Sequence, residues 1–117
     1  MKEQQTNGKV VVVHHIDEDN YEEYIGKTVK VTGYVYLSDL GLTKIPINFT
    51  EVVGDFYCAH NKLTSLEGAP KKVGGGFYCY ENELTSLKGA PEKVGGDFDC
   101  SHNQLDIPTF IGGEFEY

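Results

Sequence analysis

Val73-Gly74-Gly75-Gly76-Phe77-Tyr78-Cys79-Tyr80-Glu81-Asn82-Glu83-Leu84-Thr85-Ser86-Leu87-Lys88-Gly89-Ala90-Pro91-Glu92-Lys93 is one complete unit of a 21-residue pattern that recurs on both sides of it. Leu42, Leu63, Leu84 and Leu105 keep that spacing, as do Cys58, Cys79 and Cys100, Asn61, Asn82 and Asn103, and Phe56, Phe77 and Phe98. Gly33, Gly54, Gly75 and Gly96 keep the same step, and so do Val31, Val52, Val73 and Val94. Several independent columns with one period mean a repeat architecture, in which each unit buries its apolar face only by stacking on its neighbours.

Within the unit, Phe77 and Cys79 alternate with Tyr78 and Tyr80, which predicts a short strand with one face buried. Asn82 comes next, where the chain bends, placed to turn its amide inward onto the backbone of adjacent coils. Gly89-Ala90-Pro91 is a poor helix former, so the return path is expected to be extended or turn-like. Stacked coils would pair these strands about 4.8 Å apart in a parallel sheet. The core of the unit, Phe77 to Leu84, resembles the L-x-L-x-x-N-x-L core of leucine-rich repeats, with Phe and Cys in two apolar slots. With its extension T-S-L-E-G-A-P at Thr64 to Pro70, restated as T-S-L-K-G-A-P at Thr85 to Pro91, it resembles the short 21-residue leucine-rich-repeat proteins of large tailed bacteriophages and some bacteria. The expected fold is a β-rich leucine-rich-repeat solenoid with a parallel sheet on one face, turn-like or extended convex returns, and a small α/β cap at its N-terminal end.

The pattern fades at both ends. Val31 to Leu37 is in phase with the later strands, but Leu40 replaces the Asn, so residues 31–117 read as about four coils plus a final strand. That strand comes from Ile111 to Tyr117, which restates V-G-G-D-F-D-C after a shortened return path. Residues 9–30 do not repeat. Lys9 to His15 is expected to form a buried strand and Asp17 to Tyr24 a short helix with Asp17 or Asp19 at its N-cap, together capping the first coil. Residues 1–8 are polar and expected to be disordered.

Composition narrows the function. Eighteen Asp and Glu against ten Lys and Arg give a formal charge of −8, which repels a phosphate backbone, and no Lys/Arg cluster suggests a nucleic-acid or membrane surface. The one early apolar run, Val10 to Val13, is too short for a signal-peptide core or a membrane span. The three cysteines occupy one repeat column and do not look like a paired secretory framework, so a cytoplasmic location is expected, the host cytoplasm if the chain is phage-encoded.

Candidate chemistry is sparse. In-register cysteines about 4.8 Å apart cannot all ligate one ion whose metal–sulfur bonds are about 2.3 Å, so the Cys column reads as core packing. His14-His15 with the acids after them lies on a strand whose neighbouring side chains diverge, with one His expected inside or at the cap seam. His60, Glu81 and His102 share a repeat position and would form a row, but no nucleophile column accompanies it. The Gly pairs precede strands and read as turns. No catalytic residue, metal or cofactor is expected.

The face of the strands is the better candidate. One outward column holds Tyr34, Asp55, Gly76, Asp97 and Glu114, the next Tyr36, Tyr57, Tyr78, Asp99 and Glu116, and a third Ser38, Ala59, Tyr80 and Ser101. Tyr36, Tyr57, Tyr78 and Tyr80 would make an aromatic patch grading into acids, with His60, Glu81 and His102 beside it. Tyrosine is enriched in binding surfaces, and the acids would steer a partner with a basic or mixed surface. The expected role is a non-catalytic protein-binding module. The family resemblance implies a phage-encoded binder or inhibitor of a bacterial host or defence protein. Two alternatives stand beside it: a homodimer through the edge Glu114, Phe115, Glu116 and Tyr117, and an acidic mimic of nucleic acid.

Overall fold

The computed structural model describes residues 9–105, 110–111 and 115–116. The repeat unit carries two short strands where the sequence predicts one. Strands β3 (Val35–Tyr36), β5 (Phe56–Tyr57), β7 (Phe77–Tyr78) and β9 (Phe98–Asp99) stack in parallel with partners 21 residues apart. The return path makes a second parallel stack from β2 (Thr28–Val31), β4 (Asn48–Val52), β6 (Lys72–Val73) and β8 (Lys93–Val94). The chain is therefore a β-solenoid with a sheet on each side of its core, and the convex returns, expected to be extended or turn-like, carry the second stack of short strands. The Lys-Val pair gave little sign of this because two residues are too few to show alternation.

Two local devices turn the chain between the sheets. In Leu66-Glu67-Gly68-Ala69 the Ala69 N–H donates to the Leu66 carbonyl (3.0 Å), and Gly68 at the third position has φ +98°, the left-handed value that a type II turn requires. The Ser65 hydroxyl accepts the Glu67 N–H at 3.0 Å and steadies the turn. At the opposite corner the Gly54 N–H donates to the Gly33 carbonyl (2.7 Å) and Gly75 to Gly54 (3.0 Å), so backbones of successive coils touch directly.

Between the sheets, like residues stack on like. Phe49, Phe56, Phe77 and Phe98 form a continuous ring ladder with centroids 5.1 to 5.3 Å apart. Leu63, Leu66 and Leu84 are fully buried beside it, with Val29, Val31, Val35 and Val52. Asn61, Asn82 and Asn103 stitch the coils. Each amide donates to carbonyls of its own and the preceding coil, and its oxygen accepts N–H groups of the preceding coil.

Cys58, Cys79 and Cys100 are free, fully buried thiols. Burial pushes the Cys58 and Cys79 thiols up, and Cys79 is raised further by the hydrogen bond it shares with Cys100. Reactive thiolate is thus disfavoured. In native protein at pH 8, iodoacetamide is expected to leave these three cysteines unmodified, whereas urea-unfolded chain takes up three labels, as read by intact mass.

The N-terminal segment differs from its expected form. Its strand is β1 (Val11–Val13), an edge strand with Val12 61% exposed, and not a buried run from Lys9 to His15. It pairs in parallel with β2, and Ile16 bridges to Val35, so the segment stacks as one more coil, displaced from the 21-residue period. The helix is a single 3-10 turn, Tyr21–Tyr24. Side chains compete for the groups that a longer helix would need: Asn20 Oδ1 accepts the Asp17 N–H, Asp17 Oδ1 accepts the Asp19 N–H, and Asn20 Nδ2 donates to the His15 carbonyl.

At the other end, β11 (Phe115–Glu116) pairs in parallel with β9, Phe115 opposite Phe98 and Glu116 opposite Asp99, without the 21-residue step of the earlier strands. Its outer edge is occupied, because β10 (Phe110–Ile111) folds back antiparallel upon it. The free dimer edge expected at Phe115 and Glu116 is therefore taken within the chain; Glu114 and Tyr117 lie outside the described residues. In the sequence Ile111 comes four residues earlier than the 21-residue step from Val94 would place it, and Phe110–Ile111 joins the sheet of β11 and not that of β8.

Candidate protein-binding face

Because the side chains of Phe56, Phe77 and Phe98 point inward, their neighbours Tyr57, Tyr78 and Asp99 point outward in a column that begins with Tyr36. Tyr57 and Tyr78 are stacked with centroids 4.5 Å apart and planes 17° from parallel; Tyr36 meets Tyr57 at 5.5 Å and 54°. Tyr80 lies alongside and takes His60 edge-on at 5.3 Å. The four sequence-predicted tyrosines are thus brought together, with none of them buried. Partial burial pushes the Tyr57 and Tyr78 hydroxyls up, as do nearby charges, Asp55 for Tyr57 and Asp55, Asp97 and Asp99 for Tyr78. Both phenols are neutral at physiological pH.

The acids divide into two kinds. Asp97 is exposed. Asp55 Oδ1 accepts the Gly76 N–H (2.8 Å), and Asp99 Oδ1 accepts both the Ser101 N–H (3.0 Å) and hydroxyl (2.7 Å), so these two carboxylates also hold the backbone. The third predicted column is only half on the surface: Tyr80 and Ser101 are partly exposed, whereas Ser38 and Ala59 are buried. The strands end on the tyrosine column itself, and alternation fails beyond it.

Gly76 interrupts the Asp55–Asp97 column and lies buried under the Tyr78 ring. An alanine Cβ there would collide with the Tyr78 hydroxyl and Cζ, a flexible tip that can swing away. At Gly54 the same methyl would stand 2.6 Å from the Gly33 backbone carbonyl oxygen. Gly54→Ala is expected to destabilise by about 1–3 kcal/mol as an overpacked site. Gly76→Ala is expected to stay within about 1 kcal/mol of wild type while displacing Tyr78. Urea denaturation of the two variants checks the contrast.

His60, Glu81 and His102 form the expected row, and Asp39 belongs to it as well. All four adopt left-handed backbone (φ 55° to 61°) at the corner after the strand. Asp39 was missed because its coil lacks the Asn, although the 21-residue step from His60 pointed to it. His60 Nδ1 contacts Glu81 Oε1. All four residues of the row are exposed. His14 is exposed, while His15 stacks on Tyr34 (5.4 Å, 18°) with Nε2 3.5 Å from Asp17 Oδ2. Among the described residues no three His, Cys, Asp or Glu side chains are grouped to hold a metal ion.

The opposite side carries charges of mixed sign: Lys30–Glu51 (3.7 Å) joins β2 to β4, and Lys71–Glu92 (3.9 Å) and Glu67–Lys88 (3.3 Å) lie on the return path ahead of β6 and β8. Such exposed pairs add about 0–1 kcal/mol each and read as a solvated surface. Set beside protein-family models, curated proteins and solved structures, the chain matches none. Among the described residues no helix is long and apolar enough to cross a membrane.

Proposed function

We propose that the chain is a protein-binding module without a reaction of its own, and that its partner docks on the face formed by Tyr36, Tyr57, Tyr78 and Tyr80 with Asp55, Asp97 and Asp99. The observation that carries this reading is the one-sided column of solvent-facing stacked tyrosines. Stacked rings held by a rigid sheet lose little side-chain entropy on binding, which favours a preorganised contact surface. The bland reading, in which the tyrosines only brace the sheet, accounts for their stacking but not for their absence from the opposite sheet.

The resemblance of the repeat to phage-encoded proteins extends the proposal to a bacterial target, a host or defence protein whose surface is basic or mixed in charge. Changing Tyr57, Tyr78 and Tyr80 together to alanine is expected to abolish partner capture from bacterial lysate while the three thiols stay protected from alkylation. Undiminished capture by a folded triple variant would refute it. Mimicry of nucleic acid has less support, since Asp55 and Asp99 are engaged with backbone N–H groups and do not form a free row of charges.

A further inference from the structure

The tyrosine column has an open end. In the register of β7 and β9, Tyr78 has a ring on one side, Tyr57, and Asp99 on the other. Asp99 Oδ1 accepts the Ser101 N–H and hydroxyl, which ties the carboxylate to its own coil, and it brings no ring to continue the column. The Tyr78 ring lies over Gly76, where the acid column lacks a side chain, and so sits between Asp55 and Asp97. Its hydroxyl reaches the place that a side chain at Gly76 would occupy in that acid column. Lys30, Lys72 and Lys93, the basic strand residues, belong to the other sheet.

From this geometry we infer that the partner presents an arginine, whose guanidinium stacks on Tyr78 at the open end of the column and pairs with Asp97 and Asp99. The inference rests on the face being the docking surface. A flat aromatic face flanked by carboxylates matches a planar cation with several in-plane donors. A lysine ammonium, a compact and strongly hydrated charge, satisfies the acids but not the plane. The site lies on the outward side of a sheet, with Tyr78 and Asp99 partly exposed and Asp97 exposed. An arginine projecting from a protein surface or an extended segment suits it better than a small molecule needing enclosure.

The test is a fluorescence-anisotropy titration, at one low ionic strength, of a dye-labelled peptide alternating glycine and arginine against its lysine counterpart of equal charge. The full chain is expected to bind the arginine peptide about fivefold tighter or more than the lysine peptide. Tyr78→Ala should erase that preference and Tyr78→Phe keep it. Asp97→Asn, at an exposed position that does not endanger folding, should weaken the arginine peptide about threefold or more. Equal affinity for the two peptides, no binding of either, a preference surviving in Tyr78→Ala, or no effect of Asp97→Asn would overturn the inference. If any of these occurs while the triple tyrosine variant still loses its natural partner, only the arginine assignment fails. If that variant also captures its partner normally, the docking face is refuted too.

Discussion

Asn61→Ala is expected to lower the unfolding free energy by about 3–4 kcal/mol, a large part of the roughly 5–15 kcal/mol that holds a domain folded. Asn61 is 8% exposed and works in two directions. Its Oδ1 accepts the N–H groups of Leu40 and Leu42, both at 3.0 Å, and its Nδ2 donates to Leu37 (2.8 Å), Cys58 (3.1 Å) and Ala59 (3.2 Å). Alanine leaves two N–H groups at the corner unpaired, each worth about 1–3 kcal/mol where water is kept out. The carbonyl of Cys58 keeps the amide of Asn82 and suffers less. Asn61→Asp separates the two roles. It retains the acceptor, but sets a carboxylate against three carbonyls, so its folded pKa rises above the unfolded value of about 3.9. The aspartate variant should approach wild-type stability below that unfolded value, then lose stability as pH rises from there to its folded pKa. Urea midpoints at pH 3.5 and 7 read the difference, and a penalty for Asn61→Asp that does not change with pH would contradict the ladder role.

The Asn column was visible in the sequence because one polar residue at constant phase among apolar ones needs a reason, and an inward amide at a bend provides it. Phe77 and Cys79 alternating with Tyr78 and Tyr80 gave the inner and outer faces of the first sheet in the same way. The second sheet was harder to see. Lys72–Val73 and Lys93–Val94 are two residues each, and their strand character comes from the coils above and below. The same limit applies at the ends: Ile16 bridges to Val35 and β10 folds onto β11 through pairings that obey no 21-residue step.

For the candidate face, the sequence identified the four tyrosines but not the state of their neighbours. Whether Asp55 is a free acid or a clamp on the Gly76 N–H depends on how closely successive coils approach at the glycine corner. Ser38 and Ala59 were misplaced because a two-residue strand cannot carry alternation to a third outward position. Gly76 looked like a gap in the acid column. In the fold it is the space that lets Tyr78 lie flat, which makes an absent side chain part of the proposed binding surface.

Phe77→Ala is expected to cost about 3–5 kcal/mol, the range for truncating a buried aromatic that surrounding structure cannot refill. Phe77 is completely buried between Phe56 (5.2 Å, 16°) and Phe98 (5.3 Å, 28°), so the change removes both ring contacts and leaves a cavity between coils. Neighbouring coils are linked by backbone ladders and cannot close upon it. In a stacked architecture that loss acts at the interfaces on either side of the altered coil, weakening the coupling of the later coils to the earlier ones. The C-terminal coils should therefore open before the rest. Pulsed alkylation in moderate urea is expected to label Cys100 ahead of Cys58 in Phe77→Ala, whereas wild type exposes all three thiols together. Simultaneous labelling in the variant would show that the solenoid still unfolds as one unit despite the broken aromatic ladder.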